Sequence, residues 1–342
     1  MNRVNMAQLK LLSLAIALCT TSVVSGDTVT LAPTAPGAAP YSTEGEILDF
    51  TGEKLILQGA AGGPRTYPAD RVLRVETKWN DKHQNARAAM VKHDYQSAIG
   101  LLTAAEREEQ RVWVRRMIVA ELVQSYAALG EWERAGDLFI ALVQSDAATP
   151  AYRYAPLAWY ATEAVRPEKA RTWMAHSDVP ASVLLGASYL LTTTGDSQTA
   201  AQALRGLASP SDTQVAALAE AQLWRLELHR VTAQGVGRWE QRVGQFPEAL
   251  RAGSDFIIGE ALARLDEHDR AALAYLRVPV LHVENRHLAA RALVSAARAI
   301  NVGGHSDEAH RLLTEVSTDF SDTPQRAEAQ ALLRNDEFPN DE

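Results

Sequence analysis

Between residues 80 and 333 the apolar side chains recur at intervals of three and four, with few runs of β-branched residues. That spacing lays an apolar stripe along one side of a helix, so the pattern predicts a long series of amphipathic helices over most of the chain. Ahead of it, "TEGEILDFTGEKLILQ" (43–58) and "TYPADRVLRVET" (66–77) are short runs of β-formers, broken by Thr51-Gly52 and by the glycines of "GAAGGPR". They predict a small antiparallel sheet of three or four strands within 41–79. So short a module buries too little surface to be stable alone, and is expected to dock on the helices or on a partner. Residues 27–40, "DTVTLAPTAPGAAP", have no such period and are rich in Pro, Ala and Thr, which predicts an extended linker.

One apolar run is of another kind. "LLSLAIALCTTSVV" follows Arg3 and Lys10 and precedes the small residues Ser25 and Gly26. This is the pattern of a signal peptide over 1–26, and the run is shorter than the roughly 20 apolar residues of a membrane span. The expectation is therefore export to the periplasm or cell envelope, or secretion, without stable membrane insertion after cleavage. Cleavage would remove Cys19, the single cysteine, leaving a mature chain without disulfides. Leu18 stands where a lipidation motif calls for a small residue, which argues against Cys19 as a lipid anchor.

Within the helical region one arrangement recurs. In "SYAALGEWERAGDLF" (125–139), Gly130 ends one helix, Trp132 opens the next, Ala135 sits where two helices approach closely, and Phe139 falls on the same face one turn later. "KHDYQSAIGLL" repeats this at Tyr95 and Ala98, "LDEHDRAALAYL" at Ala271 and Tyr275, and "GGHSDEAHRLL" at Gly304 and Ala309. Weaker matches place Ala170, Ala200 and Ala233 in the same role, with separations of 30 to 38 residues between successive alanines. A period near 34 residues with two helices per unit resembles the tetratricopeptide repeat family, across about 80–333. The family's early tryptophan is replaced by Val119 or Asp255, and its closing proline is displaced to Pro150 or Pro324. The repeats are therefore divergent, and the register between 200 and 250 is irregular. The resemblance implies a mainly α fold: an α-solenoid of helix pairs preceded by the small antiparallel β module. The tail 334–342, "RNDEFPNDE", is acidic and is expected to be disordered.

The formal charge of -8 offers no broad positive field, so nucleic acid is not an expected partner. The nine histidines include His282 and His287 in "LHVENRH" and His305 and His310 in "HSDEAH", neither of which has the i, i+4 spacing of a helical zinc pair. They are expected to be solvated, and no metal or cofactor is expected. Nucleophile-elbow, phosphate-loop and dinucleotide-binding motifs are absent from the sequence, so no catalytic residue is assigned.

Binding is the remaining role. In the resembled family the first helices of each pair line a concave surface that takes extended peptides or partner helices. On that basis Arg111, Trp113, Arg115 and Arg116 of "REEQRVWVRRMIVAEL" are candidates, with Trp113 and Arg115 on opposite helix faces. The aromatic cluster "YRYAPLAWY", with Tyr152, Tyr154 and Trp159, is a second candidate surface whose helical spacing also suits packing. The expected function is a non-enzymatic exported scaffold or adaptor for a protein or peptide of the cell envelope, with self-association through the sheet edge open to it. The alternative is a helical hydrolase or carbohydrate-active enzyme with two carboxylates in a cleft.

Overall fold

A computed structural model of the chain describes residues 26–334, apart from 36, 61 and 210–212. The expected signal segment up to residue 25, Cys19 and the tail beyond Arg334 lie outside the described residues. Five antiparallel strands come first: β1 (Asp27–Leu31), β2 (Tyr41–Phe50), β3 (Lys54–Gln58), β4 (Pro64–Pro68) and β5 (Val72–Glu76), in the order β4-β3-β2-β1-β5. The linker expected at 27–40 is corrected at its first five residues. "DTVTL" alternates, with Val29 and Leu31 fully buried, and β1 pairs with β2 on one side and β5 on the other. Five residues of period-two pattern beside a proline-rich stretch were too few to register as a strand.

The sheet docks on the helices that follow it. Its Val29, Leu31, Ile47, Leu55 and Leu57 share one apolar core with Leu102, Trp113 and Ile118. The β2–β3 turn closes the joint: the Gly52 N–H donates to Asp146 Oδ2 at 2.9 Å, and a β-carbon at Gly52 would lie 1.8 Å from the Ala148 carbonyl oxygen. Only glycine brings the backbone that close.

The helices are α1 (Asp81–Val91), α2 (Tyr95–Glu108), α3 (Val112–Ala128), α4 (Trp132–Ser145), α5 (Pro167–Met174), α6 (Pro180–Leu190), α7 (Ser197–Leu207), α8 (Thr213–Glu227), α9 (Ala233–Val243), α10 (Ala252–Ala263), α11 (His268–Leu281), α12 (Arg286–Val302), α13 (Ser306–Asp319) and α14 (Gln325–Arg334). The fold is mainly α behind a small β module. Helices that follow one another closely in the chain pack as antiparallel neighbours, notably α1 with α2, α3 with α4, α10 with α11 and α12 with α13.

The repeating alanine has a structural equivalent. Ala98, Ala135, Ala170, Ala200, Ala271 and Ala309 are each the fourth residue of their helix, and all six are fully buried. Ala233 breaks the set, because it is the exposed first residue of α9; Val236, three residues on, is the buried fourth. The irregular spacing around Ala233 was therefore a misplaced register. The real irregularity lies earlier: between α4 and α5 no first helix precedes the second. In its place stand a 3₁₀ turn, Pro150–Tyr154, and an extended stretch from 155 to 166. Pro150, Pro156 and Pro167 fix this, since Pro156 has no N–H for a helical bond and its ring disfavours helical backbone at Ala155.

Candidate functional site

The extended stretch runs against α6, α8 and α10 and reaches the start of α12. Ser188 Oγ of α6 accepts the Ala158 N–H at 3.2 Å, and the Tyr189 hydroxyl donates to the Pro156 carbonyl at 2.7 Å. From α8, Gln222 Nε2 and Arg225 Nη1 donate to the Ala158 carbonyl at 3.0 and 2.7 Å. Arg225 Nη1 also reaches the Ser188 carbonyl and Gln222 Oε1, and burial pulls the guanidinium down to about 10. In α10, Gly253 leaves room for the Trp159 ring, which a β-carbon there would approach to 2.0 Å. Asn285, at the start of α12, donates to the Arg153 carbonyl at 3.3 Å. The surface these helices share is thus covered by the protein's own chain.

The aromatic candidates lie in and beside this stretch. Tyr152 is buried edge-on against Phe139 at 5.5 Å between ring centres, and Trp159 is seated on Gly253. Tyr154 is half-buried in the wall of the clefts flanking the stretch. Their apparent helical spacing belongs to a segment that is not helical. Tyr152 and Trp159 anchor it against the helices, while Tyr154 lines the neighbouring clefts.

The candidates at the start of α3 also make contacts within the protein. Arg111 donates to Thr77 Oγ1 at 2.7 Å and the Lys78 carbonyl at 3.0 Å while paired with Glu109; Arg116 donates to Asp49 Oδ1 at 2.7 Å. Both fasten the β module to α3. Trp113 is buried, 6.0 Å from Trp79 between ring centres. Arg115 is on the other face, as the helix geometry requires, in an exposed pair with Glu106. Three of the four candidates therefore hold two parts of the protein together.

One cleft of about 240 Å³ stays open at the N-terminal end, between the tip of the sheet, α1, α3 and the 150–154 turn. Trp113, Met117 and Ala120 of α3 form its apolar side with Phe50; Arg87, Arg116, Glu121, Asp146 and Arg153 supply its charges. His83 Nε2 and Arg87 Nε each lie 2.7 Å from a different oxygen of Glu121, so both oxygens are engaged. Burial raises the Asp146 carboxyl above its ordinary range, opposed by the Gly52 N–H and by Arg116. Burial likewise raises the Tyr154 phenol. The sequence analysis gave no sign of Arg87, Glu121, Asp146 or Arg153 as a group, because they come from four separate elements. Arg153, inside the quoted aromatic cluster, and Glu121, near the end of "REEQRVWVRRMIVAEL", lay within stretches already singled out.

The histidine expectation fails at three positions. His83, His282 and His287 are buried, and His287 Nε2 lies 3.0 Å from the Ala128 carbonyl oxygen, edge-on to the Trp132 ring. Among the described residues no group of three or more His, Cys, Asp and Glu side chains is placed to hold a metal ion. No helix of the described residues is long and apolar enough to cross a membrane. No protein-family model matches the chain, and no curated protein sequence matches it.

Proposed function

We propose that the protein is a non-enzymatic, exported scaffold or adaptor built from tetratricopeptide-like helix pairs, which binds a protein or peptide of the cell envelope. One observation carries the reading: its helices α6 and α8 already hold an extended chain, residues 155–160, through side chains aimed at backbone atoms. This surface chemistry suits peptide rather than a folded small molecule. The chain's own segment fills the middle of that surface, and among the clefts beside it the one at the N-terminal end brings sequence candidates together. Three of the residues singled out from the sequence, Trp113, Arg116 and Tyr154, line this cleft.

The test is in-cell photo-crosslinking with the reactive residue at Ala120, inside the cleft, or at Leu273, exposed on α11. A discrete envelope protein captured from Ala120 and missed from Leu273 is the expected result; equal capture, or none at either position, rejects the proposal. The hydrolase alternative has one feature in its favour, two carboxylates, Glu121 and Asp146, lining a single cleft. Glu121 is held by His83 and Arg87, and Asp146 by the Gly52 backbone, so neither is poised to act as acid or base. Binding is the better reading of this geometry.

A further inference from the structure

We infer that the β module carries a self-association surface: the free edge of β5 pairs antiparallel with the same strand of a second copy of this chain, about a two-fold axis through Val75. β5 is the last strand of the sheet, hydrogen-bonded to β1 and, among the described residues, to no strand on its other side. An unpaired edge offers a row of N–H and C=O groups to another strand, and proteins usually blunt it. β4, at the opposite edge, is blunted by Pro64 and Pro68 at its two ends. β5 contains no proline, and Leu73 stands 56% exposed on it. The inner face of the sheet is already packed on the helices, which leaves this edge as the part of the module open to a partner strand.

Charge decides which strand fits. Arg74 and Glu76 lie opposite Thr30 and Thr28 of β1, alternating with Val75 opposite the buried Val29, so both charged side chains stand on the outer face. Within one chain they pair at 3.1 Å, and both remain largely in water. Residues directly opposite in an antiparallel pair share a face, so a two-fold axis relating two copies of β5 passes through a residue and not between two. Through Val75, the axis sets Arg74 against Glu76 of the second copy and Glu76 against its Arg74, which makes two opposite-charge pairs. Through Arg74, it sets that arginine against its own copy. Through Glu76, it opposes two glutamates and brings Arg74 against Lys78. Of these three registers, only the one through Val75 is self-complementary in charge, as an interface between identical surfaces requires.

The ladder also has an end. Arg111 donates to Thr77 Oγ1 at 2.7 Å and to the Lys78 carbonyl at 3.0 Å, which ties the chain beyond Thr77 to the start of α3. Residues 73–77 of one copy therefore face 77–73 of the other. So short an overlap makes a small interface, and the expected dissociation constant is about 10–100 µM.

The experiment is sedimentation equilibrium on the intact protein, on Arg74→Glu, on Glu76→Arg, and on an equal mixture of the two variants. The wild type is expected to pass from monomer to dimer as its concentration rises. Each variant alone opposes like charges twice across the axis and is expected to associate at least about tenfold more weakly. The mixture brings opposite charges together at both positions and is expected to recover a dimer of wild-type affinity, which variants that had merely failed to fold could not do. A wild type that stays monomeric up to about 1 mM overturns the inference. So does a dimer that both variants keep, or one that the mixture does not restore. The peptide cleft is tested separately, by crosslinking at Ala120, so this surface and that function stand or fall apart.

Discussion

Five residues of positive φ, His93, Gly130, Gly195, Asp266 and Gly304, each precede the buried small residue of a second helix by five positions. The left-handed turn and the close helix contact are thus two parts of one local unit, the first setting the angle at which the second is reached. Glycine adopts this backbone freely and aspartate does not, so Asp266→Gly removes strain from a side chain that is almost wholly exposed. It is expected to raise stability by about 1 kcal/mol in urea unfolding, while Gly130→Ala lowers it by a similar amount. His287 gives a second residue-scale prediction. Burial holds its imidazole below the ordinary 6.5, with Arg286 acting the same way, while the Ala128 carbonyl and Asp322 favour the charged form. The unfolded chain then takes up a proton near pH 6.5 that the folded one resists, so this contribution is complete above that pH and is lost as the pH falls below it. Unfolding midpoints compared at pH 7.5 and about 5.5 should drop less in His287→Gln than in the wild type. Burial also lowers His93, so some of the drop should persist in the variant.

The element that shapes the molecule is the stretch 155–166, and Arg225 is its main fastening. A guanidinium placed on the Ala158 and Ser188 carbonyls, with Gln222 beside it, satisfies acceptors that no water reaches in an equivalent way. Arg225→Met keeps much of the side-chain volume and strands those carbonyls, which is expected to cost about 2–4 kcal/mol. Limited proteolysis within 155–166 should become faster in the variant; equal stability and equal cleavage would mean that the stretch is held by Trp159 and Leu157 alone. This element also marks how far the sequence could be read. The second helices were legible because close packing at their fourth position demands a small residue, and alanine supplies it six times. The first helices carry no equally strict demand, so the missing one between α4 and α5 was marked only by the prolines around it. Aromatics at helical intervals in "YRYAPLAWY" imitated a helix, although Pro156 in their midst forbids a regular one. The arginines of α3 were legible as important but not as glue, because Asp49, Thr77 and Lys78 lie more than thirty residues away in the chain.

A simple solenoid is quasi-one-dimensional, each repeat touching only its neighbours. This molecule departs from that rule because the extended stretch touches α6, α8, α10 and the start of α12, so that elements distant in sequence share one surface. His287, at the start of α12, reaches Ala128 at the end of α3, 159 residues earlier, and its ring meets that of Trp132 at 5.1 Å. Asn285 reaches the Arg153 carbonyl beside the same joint. Two consequences compete. If stability remained local, removing the His287 ring would loosen α11 to α13 and leave α3 and α4 protected. If the closure couples the two ends, the loss spreads to partners distant in sequence. Native-state hydrogen exchange on His287→Ala separates the two, with the closed arrangement predicting exchange faster by about tenfold or more at residues 126–135 and 155–160 as well as around 287. Exchange that rose only in α11 to α13 would show the contact to be passive, and the molecule would then behave as two halves that touch without supporting each other. The coupled outcome matters for binding, because residues 150–154 form one wall of the N-terminal cleft and are continuous with the stretch that the closure holds in place. Partner affinity at the cleft would then fall in His287→Ala although His287 does not line it, and the size of that fall would measure how much of the site is organised by the far end of the chain.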